Sequence, residues 1–134
     1  MEDAQAIVDL LNANWNPANT SNRKPKIDLI YNHKTVDVKL RDWVLIYSAT
    51  KTRSFFSIGG KDFEKTARVT IDIRSSSKTR YLKIKEEVRR ILMSNVQFGN
   101  YLIVAITSEN ELSDKTYQLY RCTMDVELKE IETI

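Results

Sequence analysis

Few side chains in this sequence have both the type and the spacing that chemistry requires. The single histidine, His33, sits beside Lys34 in what reads as a turn. With no cysteine or acidic cluster at ligand spacing around it, neither zinc binding nor imidazole acid–base chemistry has a second participant. A solvated turn histidine is the expectation. Cys122 falls on the inward side of a strand, has no base in reach by sequence, and is expected to be a small core residue. Three glycines cannot build a phosphate-cradling loop. Asp72 with Glu127-Leu128-Lys129 imitates a metal-dependent nuclease pattern, but the spacing is loose and alternation sends these residues to outward strand faces. The chain is therefore expected to be a binding or assembly protein with no catalytic residues, no metal and no cofactor.

Composition points the same way. The 134 residues are 42% hydrophobic and 29% charged, enough for one folded domain spanning 1–134. A net charge of +3 from 21 basic and 18 acidic residues is too balanced to announce a dedicated nucleic-acid binder. One cysteine excludes an internal disulfide, and the acidic start Met1-Glu2-Asp3-Ala4-Gln5 has no apolar signal core. The longest apolar run, Tyr101–Ile106, is far short of the ~20 residues of a bilayer span. A soluble, untargeted protein without membrane partners is expected.

The elements that would position any site follow from periodicity. Ile7, Leu10, Leu11 and Trp15 make one stripe of a helix over Asp3–Trp15. The Asn-, Ser-, Thr- and Pro-rich segment after it, Asn14–Pro25, reads as an exposed connection, longer than usual and open to ordering by a partner. Ile27–Tyr31 and Val36–Leu40 read as short strands around a turn at Asn32–Lys34. Trp43–Thr50 and Thr66–Arg74 are better strands, the second alternating Ala67, Val69, Ile71, Ile73 against polar neighbours. Ser75–Ser77 caps a helix over Lys78–Asn95 whose buried stripe is Tyr81, Ile84, Val88, Ile91 and Leu92. Tyr101–Thr107 and Tyr117–Lys129 close the chain as a hairpin around a polar turn at Glu109–Asp114. Strands arriving in hairpins imply an α+β fold, a mostly antiparallel sheet with both helices packed on one face.

Gly59-Gly60 is a turn signal that demands positive φ. Pairing outward from it sets Phe56 opposite Phe63, Thr52 opposite Ala67, Thr50 opposite Val69 and Ile46 opposite Ile73. The result is a long projecting β-hairpin, an arm over about residues 50–68 that reaches roughly 23 Å past the core at strand rise. Phe55, Phe56, Ile58 and Phe63, separated from the core by a Ser/Thr neck, either fold back onto the domain as a satellite cluster or, more simply, are buried against another chain, with Arg53 and Lys65 beside them.

The element order, from Ala4–Trp15 through Val44–Thr50, Ala67–Arg74, Tyr81–Leu92 and Tyr117–Leu128, resembles the tail-terminator proteins of long-tailed bacteriophages and the related tail-to-head joining (tail completion) proteins. The resemblance is one of topology, length and hydrophobic pattern, with no diagnostic motif. It implies a structural virion protein that forms a homohexameric ring, caps the tail tube and presents a docking surface to the head connector and neck proteins. It also implies a channel for non-specific passage of DNA, for which Lys51, Arg53 and Arg68 at the arm's neck are candidate contacts. Two features depart from the family: the long loop Asn16–Lys26, and a positive net charge where many tube-contacting surfaces are acidic.

The alternative is a small nucleic-acid-binding module that uses the basic helix face 78–90, led by Lys78, Arg80 and Lys83, with sheet aromatics such as Tyr47 and Tyr120. On the other side of the balance, such a face is usually solvated and held by intrahelical pairs such as Glu86 with Arg90.

Overall fold

The computed structural model of the chain describes residues 2–55, 62–99 and 101–133. Helix α1 (Glu2–Asn14) gathers Ala4, Ile7, Val8, Leu10 and Leu11 into one buried stripe. Helix α2 (Lys78–Ser94) does the same with Tyr81, Ile84, Val88, Ile91 and Leu92. Ser77 caps α2 as its sequence predicts, accepting from the Arg80 N–H, one of the donors left open in a first turn. Six strands follow the alternating patterns: β1 (Lys26–Leu29), β2 (Trp43–Phe55), β3 (Asp62–Ser75), β4 (Gln97–Phe98), β5 (Tyr101–Glu111) and β6 (Tyr120–Thr133). They form one sheet in the order β1-β2-β3-β6-β5-β4, antiparallel throughout except for β1 beside β2. The fold is α+β with a mostly antiparallel sheet. No described helix is long and apolar enough to cross a membrane.

Both helices lie on the same sheet face. Val44 and Ile46 of β2, Ala67, Val69, Ile71 and Ile73 of β3, and Cys122, Met124, Val126 and Leu128 of β6 join the two helix stripes in a single buried cluster. β3 is the centre of this layer, paired with β2 on one side and with β6 over its whole length on the other.

The opposite face is partly buried as well, and here polar groups do the packing. Leu45 and Asp72, register neighbours, are both fully buried. The Asp72 carboxylate receives two guanidinium forks: Arg74 (Nε 3.3 Å, Nη2 2.9 Å) and Arg121 (Nε 3.1 Å, Nη2 2.9 Å). One row further, the Thr70 hydroxyl donates to Asp125 at 2.7 Å. These bonds offset the desolvation that a carboxylate inside a sheet would otherwise suffer.

Four expectations are corrected. Val36–Leu40 is not a strand. The chain turns through a 3-10 helix at Ile30–Asn32 and a tight turn in which Asp37 accepts the Lys39 N–H, and β1 pairs parallel with β2. Parallel neighbours need a crossover connection, and residues 30–42 supply it. The segment Asn16–Lys26 is ordered by the chain itself: a 3-10 helix at Pro17–Thr20 is tied to α2 through Glu87, and the Trp15 indole N–H bonds the buried Thr20 hydroxyl. β5 continues to Glu111, past the turn expected at Glu109–Asp114, because Glu109 and Glu111 are anchored to α2.

The β2–β3 register also differs: Ile46 pairs with Ile71, and a bulge between Ser48 and Thr50 then shifts the ladder. Thr50 therefore meets Arg68, Lys51 meets Ala67, Thr52 meets Thr66 and Phe55 meets Phe63. A bulge inserts one unpaired residue, and turn-based counting cannot see it.

Removing Asp72 strands two guanidiniums that are only partly exposed, at 20% and 31%. Asp72→Ala should cost about 2–3 kcal/mol, between the values for exposed and for buried pairs. A lowered urea midpoint with an unchanged slope is the expected reading; a midpoint within error of the parent would contradict it.

Candidate functional site

The outer end of the β2–β3 hairpin is the first candidate. β1 accompanies β2 only from Trp43 to Ile46, so from Tyr47 to Phe55 β2 has β3 as its one strand partner among the described residues. On the far side, β6 runs with β3 out to Glu132 opposite Phe63 and Thr133 opposite Asp62. The arm is thus three strands wide, with β2 as its open edge. Arg53, Lys65 and Glu130 share one row of this ladder, and Lys51 is in register with Ala67. Phe56, Ile58 and the Gly59-Gly60 turn lie outside the described residues. Arg68 is exposed, in register with Thr50 and Glu127.

The basic face of α2 is the second candidate, and its cations are largely matched within the chain. Arg80 pairs with the buried Asp42 at 3.0 Å, and the Ser75 hydroxyl donates to the other Asp42 oxygen. Lys85 reaches Glu109 at 2.7 Å, and Arg89 pairs with the same carboxylate. The Lys85 ammonium holds Glu109 below the usual carboxylate value, with Arg89 adding to the effect. Lys83 bonds the Ser21 hydroxyl at 3.0 Å. Lys78 makes no ion pair among the described residues. The α2 face fastens the helix to β5, to the loop before β2, and to the connection after α1.

Glu87 is the centre of that last attachment. Only 1% exposed, its carboxylate receives the Asn16 N–H (2.8 Å), the Asn19 amide (2.9 Å) and a fork from Arg90 (2.6 and 2.7 Å). Burial pushes its pKa up, but the Arg90, Asn16 and Asn19 hydrogen bonds outweigh this and hold it below its ordinary 4.5.

The groups singled out for chemistry are engaged elsewhere. His33 is not a solvated turn residue: its Nε2 lies 2.8 Å from Asp28 Oδ2, and its ring packs edge-on against Trp43 with centroids 4.9 Å apart. Burial raises the Asp28 carboxyl, yet hydrogen bonds from Asn32, His33 and the Leu29 N–H bring it below its usual value. Cys122 is buried, and that burial pushes its thiol up, away from the reactive thiolate. Asp72 is in register with Thr123, four residues from Glu127 along β6, so the two positions are offset by roughly 13 Å along the strands as well as by one strand spacing. Among the described residues, no three His, Cys, Asp or Glu side chains are grouped to hold a metal.

The cations that the sequence marks as candidates lie on α2 and at the arm's neck. A third site lies elsewhere: Lys24, Lys26 and Arg41 line an open cleft of about 320 Å³ together with Pro25 and Leu40. The signal was present as a density of Lys and Arg between residues 23 and 41. It was hidden because ion pairing, which only the structure shows, decides which cations are available. Compared with protein-family models and with curated proteins, the chain matches none.

Because the folded value of Glu87 is lowered, its stabilising contribution is complete above about pH 4.5 and is lost as pH falls through the folded value. Glu87→Gln should lower stability by about 1–3 kcal/mol at neutral pH. The gap between variant and parent unfolding curves should narrow below pH 4; a gap independent of pH would assign Glu87 to packing alone.

Proposed function

We propose that this protein is a structural virion subunit that assembles into a closed homo-oligomeric ring, of the kind that terminates a long phage tail and joins it to the head connector. The observation that carries this reading is the nine-residue stretch of β2, Tyr47–Phe55, left without an outer strand partner among the described residues. Phe55, Phe56, Ile58 and Phe63 lie at and just beyond its end. An open strand edge with apolar residues is a liability for a monomer and is relieved by pairing with another chain.

A second open edge supports ring closure. β4 accompanies β5 only at Tyr101 and Leu102, so beyond Ile103 the outer side of β5 has no strand partner among the described residues. Two unlike edges on one subunit suit a heterologous contact, head to tail, which closes into a ring when the rotation permits. The resemblance of the element order to that of tail terminators suggests the biological setting, with a tube protein below the ring and neck proteins above it. Arg80, Lys85, Arg89 and Arg90 of α2 are paired with carboxylates in holding the fold, which favours this reading over a module that binds nucleic acid through residues 78–90.

Native mass spectrometry across a concentration series should find a closed ring, with a hexamer as the expected species. Phe56→Asp combined with Phe63→Asp should give a folded monomer with an unchanged circular dichroism spectrum. A double variant that still assembles, or a parent chain that stays monomeric even with a tail-tube partner present, would sink the proposal.

A further inference from the structure

Four cations of α2, Arg80, Lys85, Arg89 and Arg90, are paired with carboxylates, whereas those of residues 23–41 are not. This stretch carries Arg23, Lys24, Lys26, Lys34, Lys39 and Arg41 against Asp28 and Asp37. Its excess of four exceeds the net +3 of the whole chain, so the remainder of the molecule is close to neutral. All six cations are exposed, and none makes an ion pair among the described residues.

The nearby carboxylates are held by other donors. Asp28 accepts from the Leu29 N–H and the Asn32 amide and faces His33, Asp37 accepts the Lys39 N–H, and Asp42 is buried between Ser75 and Arg80.

Geometry concentrates three of these charges. Parallel pairing sets Lys26 opposite Trp43, and the Lys26 N–H bonds the Asp42 carbonyl at 2.9 Å, which places β1 beside the start of β2. The Arg41 guanidinium stands 5.7 Å over the Trp43 ring. That ring is itself fixed by its indole N–H to the Asp37 carbonyl and by the His33 edge. Lys24, Lys26 and Arg41 thereby line one cleft, with no carboxylate on its walls.

We propose that the surface formed by residues 23–41 binds the phosphodiester backbone of nucleic acid, with the Lys24–Lys26–Arg41 cleft as its centre. Dispersed cations on one segment match a chain of regularly spaced phosphates and gain from the counterions that chain releases. An anionic lipid surface would call for an apolar insertion element, and Tyr31 and Leu40 are the only large apolar side chains exposed on this stretch. A protein partner would call for an apolar centre depleted in charge, the opposite of this cleft. The contact is made by the single subunit and does not depend on ring assembly.

The test is a fluorescence-anisotropy titration of a labelled DNA oligonucleotide with the purified full chain from about 50 to 200 mM salt. On a duplex oligonucleotide, six phosphate contacts predict an affinity loss of about 1,800-fold across that range, from a slope near −0.9 per contact. Lys24→Ala, Lys26→Ala and Arg41→Ala together should weaken binding at low salt and reduce the loss to about 40-fold, from the same slope with three contacts. These side chains are exposed and unpaired with carboxylates, so the triple variant should remain folded with a thermal midpoint lowered only by loss of the Arg41–Trp43 contact; Lys24→Ala with Lys26→Ala, which keeps that contact, should unfold like the parent. Lys78→Ala with Lys83→Ala should bind like the parent.

The proposal is overturned by an absence of binding at about 50 mM salt, by a triple variant that binds like the parent, or by the α2 double variant producing the loss instead. Vesicles rich in anionic lipid, or poly-glutamate, bound as tightly as DNA with the same dependence on the triple variant would overturn the assignment to nucleic acid.

Discussion

Burial of β3 on both faces is the constraint around which the rest of the molecule is arranged. Ala67, Val69, Ile71 and Ile73 meet the two helices, and on the other face Thr70 and Asp72 are nearly or wholly removed from water. The apolar face needs helices to cover it; the polar face needs donors aimed at its carboxylate. β6 helps with both, supplying Cys122, Met124, Val126 and Leu128 to the core and Arg121 and Asp125 to the polar rows. β2 contributes Val44 and Ile46 to one side and Leu45 to the other. A central strand satisfied in this way sets the register of both neighbours, since a slip of one residue would exchange core and polar positions.

Electrostatics divides the molecule into two regions of different character. On α2 the charges are internal fasteners: Arg80 to the loop before β2, Lys85 and Arg89 to β5, Arg90 and Glu87 to the connection after α1. Between residues 23 and 41 the carboxylates bond neighbouring amides and an imidazole, and the cations face water. The two regions have similar densities of Lys and Arg. Their difference lies in what stands opposite, because a paired charge is both neutralised and held while a free one projects its field into solvent.

The open strand edges give the proposed assembly its physical basis. β2 beyond Ile46 and β5 beyond Ile103 have no outer strand partner among the described residues, and bulges interrupt both ladders. Bulges twist an edge and restrict which partner fits it. A ring subunit would use such selectivity to accept its own neighbour and refuse open-ended stacking.

By itself the sequence determined the helices, the long strands and the composition of the core, because 3.6- and 2-residue periodicities and the Ser77 cap are local signals. The α+β class followed from them. Tertiary structure decided what depends on partners distant in the chain. The parallel placement of β1 turned Val36–Leu40 into crossover. The bulge between Ser48 and Thr50 changed the arm's pairing, and Glu87 ordered a loop more than sixty residues away. It also decided which cations are available, since a lysine on a basic helix and a lysine in a loop look alike until their carboxylates are found. Periodicity records which face a residue occupies, whereas pairing and neutralisation are set by what the folded chain brings opposite it.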